Sequence, residues 1–121
     1  MTSQESISNL QRIISNQQFA VTMELTLPDS PDPIQVINTA LEIAPYADAL
    51  NLTDSTSAVP HFSSLAAATL LIQNKIEPVM QISCRDRNRI AIQGDILGSQ
   101  AIGVRNILCV TGDGVQSGDH P

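Results

Sequence analysis

Three polar pairs, each spaced two residues apart, stand at the downstream ends of apolar runs in this sequence. They are Thr22 and Glu24 in Phe19-Ala-Val-Thr-Met-Glu-Leu25, Asn51 and Thr53 after Ala49-Leu50, and Gln81 and Ser83 in Pro78-Val-Met-Gln-Ile-Ser-Cys84. A fourth run, Asn106-Ile-Leu-Cys-Val-Thr111, ends in Thr111, with Gly112 and Asp113 just beyond. A spacing of two puts both members of a pair on one face of a strand. The runs otherwise read as buried parallel strands, where polar groups are costly. Placing them at the same end of strand after strand predicts one shared polar site, as at the mouth of a (β/α) barrel.

Glu24 is the sharpest candidate for proton chemistry. Inside a barrel mouth its carboxyl would lose water, which raises its pKa and prepares a general acid. The alternative is a structural carboxylate paired with an arginine. Asp113 lies between Gly112 and Gly114, which would let the backbone approach a ligand closely; the competing reading is an Asp-Gly turn. Asn51, Thr53, Gln81 and Ser83 would line the lumen as neutral hydrogen-bonding groups, suited to a flat, uncharged heterocycle. Arg85, Arg87 and Arg89 crowd the N-terminal end of a helix, where positive charge is unfavourable. They would meet phosphate or carboxylate, or pair with Asp54, Asp86 and Asp113. His61 and His120 lie in loops and read as solvent-exposed. No Cys, His and carboxylate cluster has metal-ligand spacing, and no serine or cysteine has the context of a nucleophile.

The elements that position these residues follow from periodicity. Ile7, Leu10 and Ile14 predict a helix over 3–16, capped by Thr2 with Glu5, lying over the closed end of a barrel. Strands follow at about 19–25, 49–53, 79–84 and 106–111. The first connecting helix is capped by Asp32, starts at Pro33 and buries Ile34, Ile37, Leu41 and Ala44. The second starts between Pro60 and Ser63, turns Leu65, Ala68 and Ile72 inward and stops at Asn74-Lys75. The third starts between Asp86 and Asn88 and stops at Gly103. It buries Ile90, Gly94, Leu97 and Ala101, with Gly94 allowing close packing on the sheet. The tail after Gly112 reads as loop. The order α, then βαβαβαβ, implies parallel strands with right-handed crossovers. An open doubly wound sheet competes with half of a (β/α)8 barrel, and the polar strand ends favour the barrel.

At 121 residues the chain is at most one domain. We expect a single partial domain over 1–121, with the half barrel over 19–121 and the chain the front half of a longer protein. Hydrophobic residues make up 42% and charged residues 15%, which fits a globular chain. Phe19, Tyr46 and Phe62 are its only aromatics, so there is no platform for stacking bases. The net charge of −6 argues against nucleic acid and against an anionic membrane surface. Without a secretory signal or an apolar span, a cytoplasmic protein is expected. Cys84 and Cys109 read as two buried, reduced thiols.

Five blocks carry a family resemblance. They are Val21-Thr-Met-Glu-Leu-Thr-Leu-Pro28, Asn51-Leu-Thr-Asp54, Glu77-Pro-Val-Met-Gln-Ile-Ser-Cys-Arg-Asp-Arg-Asn-Arg89, Ala101-Ile-Gly-Val-Arg-Asn-Ile-Leu-Cys-Val-Thr-Gly-Asp113 and Gly118-Asp-His-Pro121. In this order and spacing they resemble the methylenetetrahydrofolate reductases, from about Phe19 to the end. The resemblance implies a (β/α)8 barrel with FAD at its C-terminal mouth. It implies reduction of 5,10-methylenetetrahydrofolate to 5-methyltetrahydrofolate, in the one-carbon metabolism that feeds methionine biosynthesis. Electrons would come from NAD(P)H or a partner electron donor. Glu24 matches the glutamate that protonates the folate nitrogen and opens its ring to an iminium. Asp113 matches the aspartate near flavin and pterin, and Thr53 a flavin-contacting threonine. Gln81 stands where some members carry histidine; it can hydrogen-bond the ring but cannot titrate. The implied catalytic pair is Glu24 and Asp113, and the implied cofactor-binding set is Thr53, Gln81, Thr111, Gly112 and Asp113. Residues that grip the FAD phosphates and the folate tail come mostly from later strands in the family, so the chain alone is expected to be inactive. The competing functions are a non-catalytic half barrel that assembles with a partner or as a homo-oligomer, and a phosphate-binding lyase using the arginine loop.

Overall fold

The structure, a computed structural model, describes residues 7–121. It is an α/β half barrel. Four parallel strands lie in sequence order, β1 (Thr22–Leu25), β2 (Ala49–Leu52), β3 (Pro78–Ser83) and β4 (Asn106–Val110). Helix α1 (Asn9–Ser15) precedes them, and α2 (Pro33–Ile43), α3 (Ser64–Gln73) and α4 (Arg89–Ala101) make the crossovers.

Register sorts the strand residues into two faces. Leu25, Leu52, Met80 and Ile107 align on the helix-facing side. The first three are buried and form the core with Leu27, Val36, Ala40, Leu50, Ala67, Ala68, Leu71 and Val104. On the other face Glu24 aligns with Asn51, Val79 and Asn106, and Gln81 with Leu108. That concave face would become the lumen of a closed barrel.

Each helix starts where a side chain can accept an orphan amide hydrogen bond. Asp32 accepts from Ile34, Ser63 from Ala66 and Asn88 from Ala91. Ser8 accepts from Gln11, so α1 begins at Asn9 and residues 7–8 are not helical. The cap expected from Thr2 and Glu5 lies outside the described residues. Helix α1 does sit at the closed end. Glu77, just before β3, accepts from the Asn9 and Leu10 amides at 2.9 and 3.0 Å and from Asn106 Nδ2 at 2.9 Å.

Several expected stripes are displaced. In α2, Val36 and Ala40 are buried, while Ile34 and Leu41 are exposed. In α3, Ala67, Ala68 and Leu71 go deepest, and Leu65 and Ile72 pack at the core's margin. In α4 the expected face points outward: Ile90 is 81% and Leu97 70% exposed, and a Cβ on Gly94 would meet only open space. Ile92 and Ile96 instead turn toward β3 and β4, and Ser99 is fully buried. The two stripes share the same spacing, so period alone could not choose between them. Phe19 is 91% exposed and stands outside β1. Cys84 and Cys109 are free but exposed rather than buried; Cys109 lies on the edge strand β4, and Cys84 just past the end of β3.

Glu77→Ala should release α1 without opening the sheet. We expect a loss of about 1–2 kcal/mol, read as a lower urea midpoint. Asn9 and Leu10 amides should exchange faster while those of β2 and β3 keep their protection. An unchanged midpoint would contradict this.

Candidate active site

The C-terminal ends of the strands surround an open cavity of about 320 Å³. Its walls are Glu24 from β1, Thr53, Asp54 and Thr56 after β2, Gln81 from β3, and Val110, Thr111, Gly112 and Asp113 at the end of β4. The structure thus brings together Glu24, Thr53, Gln81, Thr111, Gly112 and Asp113, which the sequence places on four separate segments. Asn51 lies a step deeper, donating to Thr22 Oγ1 at 3.3 Å, and lines a second cavity toward the closed end.

Each wall has a local cause. Thr53 is buried, and its hydroxyl oxygen accepts from the Leu27 amide at 3.1 Å, tying the β1 loop to β2. A hydroxyl has one proton to donate as well, so Thr53 can still offer a hydrogen bond to the cavity. Ser64, at the start of α3, donates to the Gln81 carbonyl at 2.9 Å and braces β3 from behind. Gly112 adopts φ +84°, a region that favours glycine. The group approaching it is not a ligand, however. A Cβ there would stand 3.1 Å from an Arg85 guanidinium nitrogen and 3.2 Å from Arg85 Cβ. Gly114 has ordinary φ, −63°. Asp113 itself is exposed, and its Oδ2 accepts from the Ser57 amide at 2.6 Å.

Glu24 does not meet one expectation. Its carboxyl lines the cavity yet is exposed rather than desolvated. A half barrel has no opposite wall to exclude water from it. No arginine pairs with it among the described salt bridges, so the structural-carboxylate alternative is not realised either.

The buried acid of this cavity is Asp54, just after β2, whose side chain is only 3% exposed. Arg87 grips it through both terminal nitrogens, one contact to Oδ2 and one to Oδ1 at 3.1 Å. The Ser83 amide donates to Oδ2 at 2.7 Å. Burial alone pushes the Asp54 carboxyl upward; the hydrogen bonds from Arg87 and Ser83 and the charge of Arg87 outweigh it, holding Asp54 below its ordinary value. The hydrogen bond to Asp54 likewise raises Arg87. Sequence composition had offered Asp54 only as one possible partner of the arginine loop. Its signal was position: an acid directly following a buried strand needs a cation within reach.

His61 is half-buried, not exposed, with Nδ1 2.9 Å from the Val59 carbonyl oxygen. His120 is exposed. Among the described residues no group of three or more His, Cys, Asp or Glu could hold a metal ion, and no helix is long and apolar enough to cross a membrane.

The family model described as methylenetetrahydrofolate reductase matches residues 9–121 of the chain. No curated protein matches it at a significant level.

Asp54→Asn should cost about 3 kcal/mol near pH 7, because it removes the buried carboxylate that the half-buried Arg87 guanidinium pairs with. The sign of the pH dependence follows from the lowered carboxyl. Its contribution is complete above the unfolded value of about 3.9 and is lost as pH falls through the lower folded value. Urea unfolding at pH 7 and near pH 3 should therefore show a gap between wild type and variant that narrows on acidification.

Proposed function

The chain belongs to the methylenetetrahydrofolate reductase family, and from that premise we propose that it contributes the acid and the flavin-ring wall to flavin-dependent reduction of 5,10-methylenetetrahydrofolate. The observation that carries this reading is the convergence of Glu24, Gln81 and Asp113 on one cavity, with Thr53, Thr111 and Gly112 between them.

The residues present fit the ring end of FAD. Thr53, Gln81 and Thr111 offer neutral donors and acceptors to a flat polar heterocycle, and Gly112 and Asp113 border it. Arg85 and Arg87 direct their nitrogens at Asp86, Asp54 and loop carbonyls instead, so they are not a ready phosphate cradle. This also weighs against a lyase built on the arginine loop. Bound FAD would supply the hydride, drawn from NAD(P)H or a partner electron donor.

The chain's own work is to place groups and move a proton. Glu24, in its acid form, would donate to the folate nitrogen; the carbon–nitrogen bond of the five-membered ring breaks, and the electron pair stays on that nitrogen. The resulting iminium carbon accepts the hydride and becomes the methyl group. Asp113 would stay as a fixed negative group beside ring and pterin. Both roles need the cavity's open side covered, so we read the chain as half of the catalytic barrel, inactive by itself. A cytoplasmic site of action belongs to the same reading and rests on the acidic composition.

A second reading, a half barrel that assembles with a partner or with itself, is favoured by one feature. Ile107 and Leu108 on β4, and Phe19 and Val21 before β1, leave apolar side chains exposed at both sheet edges. A concentration-independent monomer in sizing chromatography would count against it.

The catalytic reading predicts that added FAD binds, seen as quenched flavin fluorescence, and that Asp113→Ala weakens that binding. In the completed barrel, Glu24→Gln should keep the flavin and still oxidise the nicotinamide donor, if one is used. Folate reduction should fall by about 10²- to 10⁴-fold. Retained folate turnover would remove Glu24 from this role.

A further inference from the structure

We propose that Arg85, which does not line the cavity, is the positioning residue that fixes Asp113 at its rim, by joining the loops after β2 and β4 into one clasp. The β2 loop cannot hold its shape unaided. Ser55, Ser57 and Ala58 have φ of 49°, 61° and 57°, a left-handed region that non-glycine residues enter only when their surroundings impose it. The contacts that impose it come from the β3 and β4 loops.

Arg85 reaches both sides. Its Nη2 donates to the Ser55 carbonyl at 2.9 Å, and its Nη1 donates to the Asp113 carbonyl at 3.1 Å. Nε donates to Asp86 Oδ2 at 3.0 Å, which sets the plane of the fork. The Asp113 carboxylate then closes the ring by accepting from the Ser57 amide at 2.6 Å. Asp119 adds a backbone hydrogen bond to the Ala58 carbonyl at 3.3 Å, and a Cβ on Gly118 would collide with that carbonyl oxygen at 2.3 Å. The side chain of Arg85 is only 10% exposed, so this is an interior strut rather than a surface cation.

The chemistry of the residue matters. All three guanidinium nitrogens are engaged in three directions at once, a geometry that a lysine's single ammonium on a flexible stem cannot reproduce. Arg85 acts on Asp113 from both ends: directly through its carbonyl, and through Ser55 on the segment that carries the Ser57 amide. With Oδ2 held by that amide, Oδ1 is left to the cavity. The value of this for flavin or folate chemistry rests on the reading proposed above; the clasp itself does not.

The test reads the clasp at the Ser57 amide by hydrogen exchange on the intact chain. In wild type that amide should be protected. Arg85→Ala should speed its exchange about tenfold or more, leaving Leu52 and Met80 amides unchanged, and Arg85→Lys should fall between. Asp113→Ala should speed Ser57 to a similar degree, and the double variant should be no faster than either single one, because both act on one hydrogen bond. Independent, additive effects would overturn the proposal, as would unchanged Ser57 exchange in Arg85→Ala. If Arg85→Ala loses protection throughout the sheet, Arg85→Lys decides alone: a folded variant with wild-type exchange at Ser57 refutes the clasp. Failure to bind FAD would sink the functional reading and leave these outcomes untouched.

Discussion

A carboxylate enclosed at the end of a strand must find a cation, and the pairing of Asp54 with Arg87 satisfies that demand here. The consequence spreads along the arginine loop. With Arg87 drawn inward over β2, the chain after β3 must turn sharply, and Asp86 takes a left-handed φ of 63° to do so. Arg85 is thereby delivered to the opposite side of the same turn, between the β2 and β4 loops. The crowding of arginines near a helix N-terminus, unfavourable if all three faced the dipole, is resolved because only Arg89 belongs to α4, and it is exposed.

The same logic separates the two faces of the sheet. Alternation sends Leu25, Leu52 and Met80 to the helices, and Glu24, Asn51 and Gln81 to the concave side. Among the described residues, every buried polar side chain has a partner: Ser8 with Asn106, Thr53 with Leu27, Asp54 with Arg87 and Ser83, Ser64 with Gln81, and Ser99 with Ile96. Polar groups on the concave face keep their water. Hydrophilic residues at strand ends therefore cost little in this half barrel, and their presence needs no compensation from strain at the strands themselves. Left-handed backbone in non-glycine residues falls in turns and loops, at Gln17, Lys75 and Asp86 as well as in the loop after β2, where Ser55, Ser57 and Ala58 cluster beside Asp113.

Much of this could be read from the amino acids. Strand order, crossovers and the caps at Asp32 and near Asn88 follow from local pattern, and the polar pairs converge because parallel strands share one direction. What escaped was whatever depends on neighbours. Two stripes of equal period compete on α4, and only contact with β3 and β4 selects Ile92 and Ile96 over Ile90 and Leu97. Cys84, Cys109 and Phe19 look like core residues by type, yet all three are exposed, Cys84 past the end of β3, Cys109 on the edge strand β4 and Phe19 ahead of β1. The left-handed Ser57 and Ala58 leave no compositional mark, since the shape is imposed from outside. Arg85 was visible as a charge, but its partners Ser55 and Asp113 lie 30 and 28 residues away and contribute backbone carbonyls, which no side-chain pattern reveals.

Of the three acids that line the cavity, Asp54 is spoken for by Arg87, and the other two, Glu24 and Asp113, are held differently. Asp113 has one oxygen fixed by an amide and its backbone fixed by a guanidinium. Glu24 has no such contact among the described hydrogen bonds; its side chain is exposed at the cavity wall. Asp113 therefore sits where two loops put it, whereas Glu24 is placed by the register of β1 against β2.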